Sequence, residues 1–190
     1  MCLILIIFLL AIEPSGALQE WEPPMSRNRT YSTQVSASGS TPDGLTETTL
    51  AVRCLPGTKG RGYVEFVYTV KRARDMKNFN FTDFEGPDAP AGAKKLVRVI
   101  VYSKSHNVTA KVSVTGGLKG DDPDAFEFSF AARGYRKGDI TRLVDTIRQG
   151  ASMISVTVHD YRDSKKTIHT DFSTTGASNA VDRLMKNCGK

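Results

Sequence analysis

The chain has 190 residues, 39% of them hydrophobic and 24% charged, with a formal net charge of +6 and a pI near 9.3. That composition is ordinary for a soluble protein and sized for one domain around one core, which sets aside a multidomain reading. The basic balance favours anionic partners such as nucleic acid, lipid headgroups or acidic wall polymers, with a solvated basic surface as the plain alternative.

Cys2 to Ile12 is an unbroken apolar run. It is shorter than the roughly 20 residues a membrane-spanning helix needs, and it matches the apolar core of a secretory leader. Ser15-Gly16-Ala17 supplies small residues where a signal peptidase reads them. Residues 1–17 are therefore expected to leave as a signal peptide, with the mature chain starting at Leu18 and residues 18–190 forming a single β-rich domain. No Lys or Arg precedes the run, so the leader reads as truncated at its start. Cys2 would leave with it, and no lipobox cysteine stands at the cleavage point, which argues against a lipoprotein anchor.

Trp21, the only tryptophan, precedes Pro23-Pro24 and is expected as a core plug or an edge cover rather than a ligand-stacking ring. Tyr31 to Ala37 alternates at strand period, and Thr41-Pro42-Asp43-Gly44 is a turn. Leu45 to Cys54 and Tyr63 to Val70 read as the strands of a hairpin. Phe79, Phe81 and Phe84 follow in a loop, and Pro87 to Ala93 reads as a linker or exposed loop. Val97, Val99 and Val101 alternate against Arg98, Ile100 and Tyr102 in the strongest single strand. Val108 to Val114 is the next strand. Gly116-Gly117 and the turn Asp121-Asp122-Pro123-Asp124 separate it from Phe126, Phe128 and Phe130, which share one strand face.

The stretch from Asp139 to Cys188 reads as helix, strand, turn, strand, helix. Asp139 is a candidate N-cap, Ile140, Leu143, Val144 and Ile147 form a helical stripe, and Gly150 ends the helix. Ile154, Val156 and Val158 alternate, Asp163-Ser164 turns the chain, and Ile168, Thr170 and Phe172 resume the alternation. Ser173 or Thr174 caps a last helix with Ala177, Val181, Leu184, Met185 and Cys188 on its apolar stripe. The expected fold is α+β: a mainly antiparallel sheet or sandwich of about eight short strands with two helices, the C-terminal one packed on the sheet.

The chemistry-bearing motifs are few. No Gly-x-Ser-x-Gly elbow, phosphate-binding Gly-Lys-Ser/Thr loop or His-Glu-x-x-His occurs, and no enzyme activity or cofactor is expected. His159 and His169 are the candidate metal ligands. If Val158 faces Thr170 and Val156 faces Phe172, His159 lies opposite His169 and Thr157 opposite Asp171. Two imidazoles about 5 Å apart at Cβ could then hold a metal or sense pH. A slip of two residues breaks the pair and leaves a wet polar face. The acidic turn lacks the spacing of a calcium loop. Two basic clusters stand out, Arg133, Arg136 and Lys137, and Lys71, Arg72, Arg74 and Lys77. Neither is interleaved with aromatics, so nucleic acid is not an expected partner.

Trp21 near the mature start, Leu50-Ala51-Val52-Arg53-Cys54 closing a strand, and Phe172 leading into Gly176, Ala180, Leu184 and Cys188 form a scaffold pattern. It resembles the small exported bacterial proteins that include the type VI secretion-associated VasI family, and more distantly the invasion-associated locus B proteins. The resemblance covers Trp21 to Cys188. It implies a Gram-negative exported protein and brings no catalytic residue with it.

Cys54 and Cys188 remain once the leader is gone, and an even cysteine count in an oxidising compartment reads as a bridge. The expectation is a periplasmic or secreted, non-catalytic binding or accessory module with a protein partner in the cell envelope. The alternatives are a histidine-dependent metal-binding or hydrolytic enzyme, and an electrostatic binder of an anionic envelope polymer or lipid.

Overall fold

The computed structural model describes residues 20–27, 30–55, 62–131 and 137–188. The expected signal peptide, the cluster residues Arg133 and Arg136, and residues 56–61 lie outside the described residues, and of Lys137 only the backbone is described. Among the described residues ten strands run in chain order: β1 (Met25–Arg27), β2 (Thr30–Thr41), β3 (Gly44–Leu55), β4 (Tyr63–Val70), β5 (Val97–Ser103), β6 (Val108–Val112), β7 (Thr115–Lys119), β8 (Asp122–Ala131), β9 (Ala151–His159) and β10 (Thr167–Ser173). Two helices, α1 (Lys137–Arg148) and α2 (Ala177–Asn187), flank the β9–β10 hairpin in sequence.

All ten strands belong to one antiparallel sheet in the order β6-β5-β9-β10-β2-β3-β4-β8-β7, with β1 beside β2. The expectation of about eight strands is corrected to ten, in a sheet rather than a sandwich. The additions are β1 and β7. Gly116-Gly117 reads as a break in the sequence, yet Gly116 sits inside β7 because the space is full. A Cβ there would lie 2.7 Å from Cζ of Phe126 and 2.9 Å from the Phe84 carbonyl oxygen.

The sheet's two outermost strands are consecutive in the chain, with only Ser113 and Val114 between β6 and β7. Such a link reaches roughly 11 Å at full extension. The sheet must therefore curl until its edges meet, and the chain itself closes it into a barrel-like body. The free side of β7 is covered by the 85–86 segment, where Gly86 N donates to the Gly116 carbonyl at 3.0 Å.

Odd-numbered positions of β2 and β5 and even-numbered positions of β3, β4, β6 and β8–β10 face inward with both helices. Val52, Phe66, Phe128, Val99, Val156 and Phe172 share one core with Leu143, Ile147, Val181 and Leu184 of the helices. α2 packs on β2 and β3, and α1 on β5, β6 and β9. Helix α1 begins at Lys137, two residues before the expected cap, which places Asp139 in the first turn, where a carboxylate favours the helix N-terminus. Gly150, at φ 104°, ends it as expected. Helix α2 starts after Gly176, in the left-handed region at φ 76°, with no side-chain cap. The expected caps are engaged elsewhere, Thr174 donating to the Ala151 carbonyl at 2.7 Å and Ser173 to Thr175 Oγ1 at 3.1 Å.

At the opposite end of the curl, Phe79, Phe81 and Phe84 are buried rather than looped out. A single 3-10 turn, Phe81–Phe84, seats them against Phe126 and Phe128, with Phe81 and Phe126 centroids 5.0 Å apart. Its buried Asp83 accepts a two-pronged contact from Arg162 at 2.7 and 2.9 Å, and buried Asp160 accepts from the Asn80 and Arg162 amides. That network staples the turn to the β9–β10 loop.

β2 and β10 meet at a single register pair, Ser40 with His169, and splay apart beyond it. The segment before β1 fills the opening. Glu22 N donates to the Gln34 carbonyl at 2.9 Å, and Trp21 donates from its backbone to Thr175 and from Nε1 to the Ser173 carbonyl at 2.9 Å. Trp21 is 3% exposed and is, of the two roles expected of it, the core plug rather than the edge cover. Cys54, near the end of β3, is disulfide-bonded to Cys188 just past α2, with their Cα atoms 5.5 Å apart.

Candidate functional site

The face of the sheet turned away from the helices is laid out in short polar side chains. Ser36 and Thr49 hydroxyls lie 3.2 Å apart across β2 and β3. Arg53 of β3 reaches Glu127 of β8 at 3.2 Å. β4 runs between those strands, with Glu65 opposite Arg53 and Thr69 opposite Glu127, so the ion pair crosses β4 diagonally over Val67. That accounts for an outward valine that is fully buried and stands outside the main core.

The two candidate histidines are on this face, but the structure separates them. β9 and β10 pair His159 with Thr167 and His169 with Thr157, while Val158 faces Ile168 and Thr170 faces Val156. The register expected from the sequence is off by two residues, and the His159–His169 pair is not formed. The reason is the turn. Asp160 N donates to the Lys166 carbonyl and Lys166 N to the Asp163 carbonyl, each at 2.9 Å, so the loop closes two residues tighter than the inward pattern alone requires. Because side chains alternate with period two, either register keeps the same residues inside. His159 Nδ1 instead sits 3.1 Å from the Ser164 carbonyl oxygen and donates to it.

His169 joins a different group. Its Nδ1 is 3.0 Å from Thr157 Oγ1, its Nε2 is 3.4 Å from Asp171 Oδ1, and Ser155 Oγ donates to that same carboxylate oxygen at 2.5 Å. Serine, histidine and aspartate are thus adjacent, in the wrong order for nucleophilic catalysis. Activation needs the imidazole to take the serine proton. Here the carboxylate stands between them, the serine is 5% exposed, and the aspartate faces solvent. The group orders the strand surface. Among the described residues no group of three or more His, Cys, Asp or Glu side chains is arranged to hold a metal ion.

Of the two basic clusters, the described one is half neutralised. Lys71 pairs with Asp122, and Arg72 with Asp75 at 3.1 Å. Asp122 also accepts from the Asp124 amide at 3.3 Å, so the acidic run is a capped turn. A shallow depression of about 470 Å³ lies beside Lys71 and Arg72, lined also by Ser38, Leu45, Thr46 and Glu47.

A further group of unpaired basic residues lies on β5 and β6 and in the segments beside them, where no motif marks it. Residues 94–112 hold Lys94, Lys95, Arg98, Lys104 and Lys111 and no acid. Arg98 and Lys111 are directly opposite in register, both exposed. A count of charge by segment rather than by run would have found them.

Fold and surface together define a disulfide-closed α+β protein, one curled antiparallel sheet with its helices inside and an open polar strand face outside. No family model, curated protein or solved structure matches the chain. Among the described residues no helix is long and apolar enough to cross a membrane, and the disulfide suits an oxidising, non-cytoplasmic compartment.

Proposed function

We propose that this protein is an exported binding or accessory module, without catalysis, that engages a component of the cell envelope through the outer face of its sheet. The observation that carries this reading is the division between the two faces. Helices, Trp21, the disulfide and the Phe79–Phe84 segment all serve the inner face. The outer strands present hydroxyls, ion pairs and free cations to solvent. The resemblance to VasI-like exported proteins points to the same compartment. The histidine-based metal or hydrolase alternative loses its geometric basis with the β9–β10 register.

Site-specific photo-crosslinking in a native envelope fraction tests the reading. A crosslinker at Ser38 or Ile100, on outer strand positions, should capture a discrete envelope component. One at Arg142, exposed on α1, should not. Capture from Arg142 alone, or none from the outer positions, would overturn it.

A further inference from the structure

The β5–β6 hairpin and the residues leading into it concentrate unpaired positive charge, five cations and no acid between residues 94 and 112. Arg53, Lys71, Arg72, Lys119, Arg148, Arg162 and Lys186 each pair with a carboxylate. Lys94, Lys95, Arg98, Lys104 and Lys111 pair with none among the described residues, and only Lys94 has a partner of any kind, the Tyr161 ring at 4.5 Å. Their charge is most of the chain's +6. Arg98 and Lys111 sit opposite each other on neighbouring strands, spaced about 4.8 Å, where like charges repel and a mixed pair would stabilise. The nearest acid in register is Asp171 on β10, already engaged by Ser155 and His169. A sheet that keeps such a pair bare pays stability for a counter-charge from outside.

We infer that the outer face of β5 and β6, centred on Arg98 and Lys111, binds a linear anionic polysaccharide. This assigns a ligand class that the reading above leaves open, and it rests on that reading for the outer face being the working one. Three features select the ligand. The large exposed apolar side chains are Met25, Leu45 and Leu118, none of them on this hairpin, so no wedge for lipid accompanies the charge. Half-buried Tyr102 is the hairpin's single aromatic, which is not the stacking platform single-stranded nucleic acid uses. Beside the cations stand exposed Asn107 and Thr109, which hydrogen-bond to sugar hydroxyls rather than to charge alone.

The test is titration of the full mature protein with polygalacturonate, using the double variant Arg98→Glu, Lys111→Glu and the control double variant Arg74→Glu, Lys77→Glu. Wild type should bind, with affinity falling as salt rises. The hairpin variant should lose at least about tenfold in affinity, as when a complementary charge is reversed. The control variant should bind like wild type, and circular dichroism should show all three folded. Unchanged binding by the hairpin variant, or no binding by wild type, would overturn the proposal. So would equal binding of single-stranded DNA or anionic phosphatidylglycerol vesicles through the same two residues. Crosslinking from Ser38 that persists in the hairpin variant keeps the binding-module reading standing when the polysaccharide fails, so the two failures are told apart.

Discussion

The hydroxyl of Tyr68 on β4 lies 2.8 Å from Thr170 Oγ1 on β10, although two strands stand between β4 and β10 in the sheet. Curling brings them together, and Thr48 Oγ1 completes the contact, 3.1 Å from both Thr170 Oγ1 and the Ala37 carbonyl oxygen. Tyr68 is wholly buried, and burial holds its phenol well above the ordinary range, so it remains a neutral hydrogen-bonding group. Gly39 makes the approach possible. A Cβ there would overlap Thr170 Oγ1 and sit 2.7 Å from Thr48 Cγ2.

Tyr68→Phe should cost about 1 kcal/mol, the worth of one buried hydrogen bond. Gly39→Ala should cost about 1–3 kcal/mol by overpacking at the point where β2 meets β10. Urea unfolding with unchanged slope measures both. A neutral Gly39→Ala would mean that the sheet does not curl as tightly as described.

The disulfide closes a loop of 134 residues in sequence separation. Chain entropy gives it at most about 5 kcal/mol. Cys54→Ala and Cys188→Ala should lower the melting temperature of the oxidised protein similarly, and the double variant should be little worse than either. Gly62 adds a second check, since a Cβ there would lie 2.9 Å from each sulfur. Gly62→Ala should destabilise the oxidised wild type more than it destabilises the Cys54→Ala, Cys188→Ala background. Equal effects in both would show that Gly62 has no part in seating the bridge.

Trp21 closes the gap between splayed β2 and β10, and its Nε1 bond to Ser173 is its one side-chain hydrogen bond. Trp21→Phe should cost about 1 kcal/mol through that bond, and Trp21→Ala about 3–5 kcal/mol through the cavity. As the only tryptophan it reports its own site. Its emission should shift red in the same transition that abolishes near-ultraviolet circular dichroism. A red shift at lower denaturant would show that the plug leaves before the sheet opens.

Helices α1 and α2 are clamped through Asp182, which accepts from Lys186 at 2.7 Å and from Arg148 at 2.7 Å. These donors, Lys186 first and Arg148 next, hold its carboxyl below the ordinary 3.8. A depressed folded-state value means stabilisation that is complete above the unfolded value and is lost as pH falls through the folded one. Asp182→Asn should therefore be less stable than wild type near neutrality, with the difference shrinking below about pH 4. Thermal melts across pH 2.5–7 ( sets roughly this window) measure it. A constant difference over the whole range would remove Asp182 as the titrating link.

The candidate site divides along the same line as these predictions. The cations were countable along the chain, and Arg98 was already placed on the polar side of its strand. That it lies opposite Lys111 with no acid in reach needed the pairing of β5 with β6. His159 and His169 teach the converse. Their outward placement followed from the alternation of Ile154, Val156 and Val158, but their mutual register followed from the hydrogen bonds of the Asp160–Lys166 turn, which leave no trace in hydrophobic period.

Local pattern determined what local physics controls. The stripes of Ile140, Leu143, Val144 and Ile147 and of Ala177, Val181 and Leu184 are helical because burying one face of a helix demands that spacing, and the valines of β5 alternate because one strand face is buried. The pairing of Cys54 with Cys188 was legible because two cysteines leave one partner each. Tertiary structure decided the rest. Gly116 reads as a break until the ring that crowds it is in place, Gly39 acquires a role only once Thr48 and Thr170 lie against it, and the burial of Phe79, Phe81 and Phe84 depends on β8 offering them a surface. The closure of ten strands depends on two residues, Ser113 and Val114, being too few to let the edges part. Such contacts join residues far apart in the chain, so their energy belongs to pairs that no window of sequence contains.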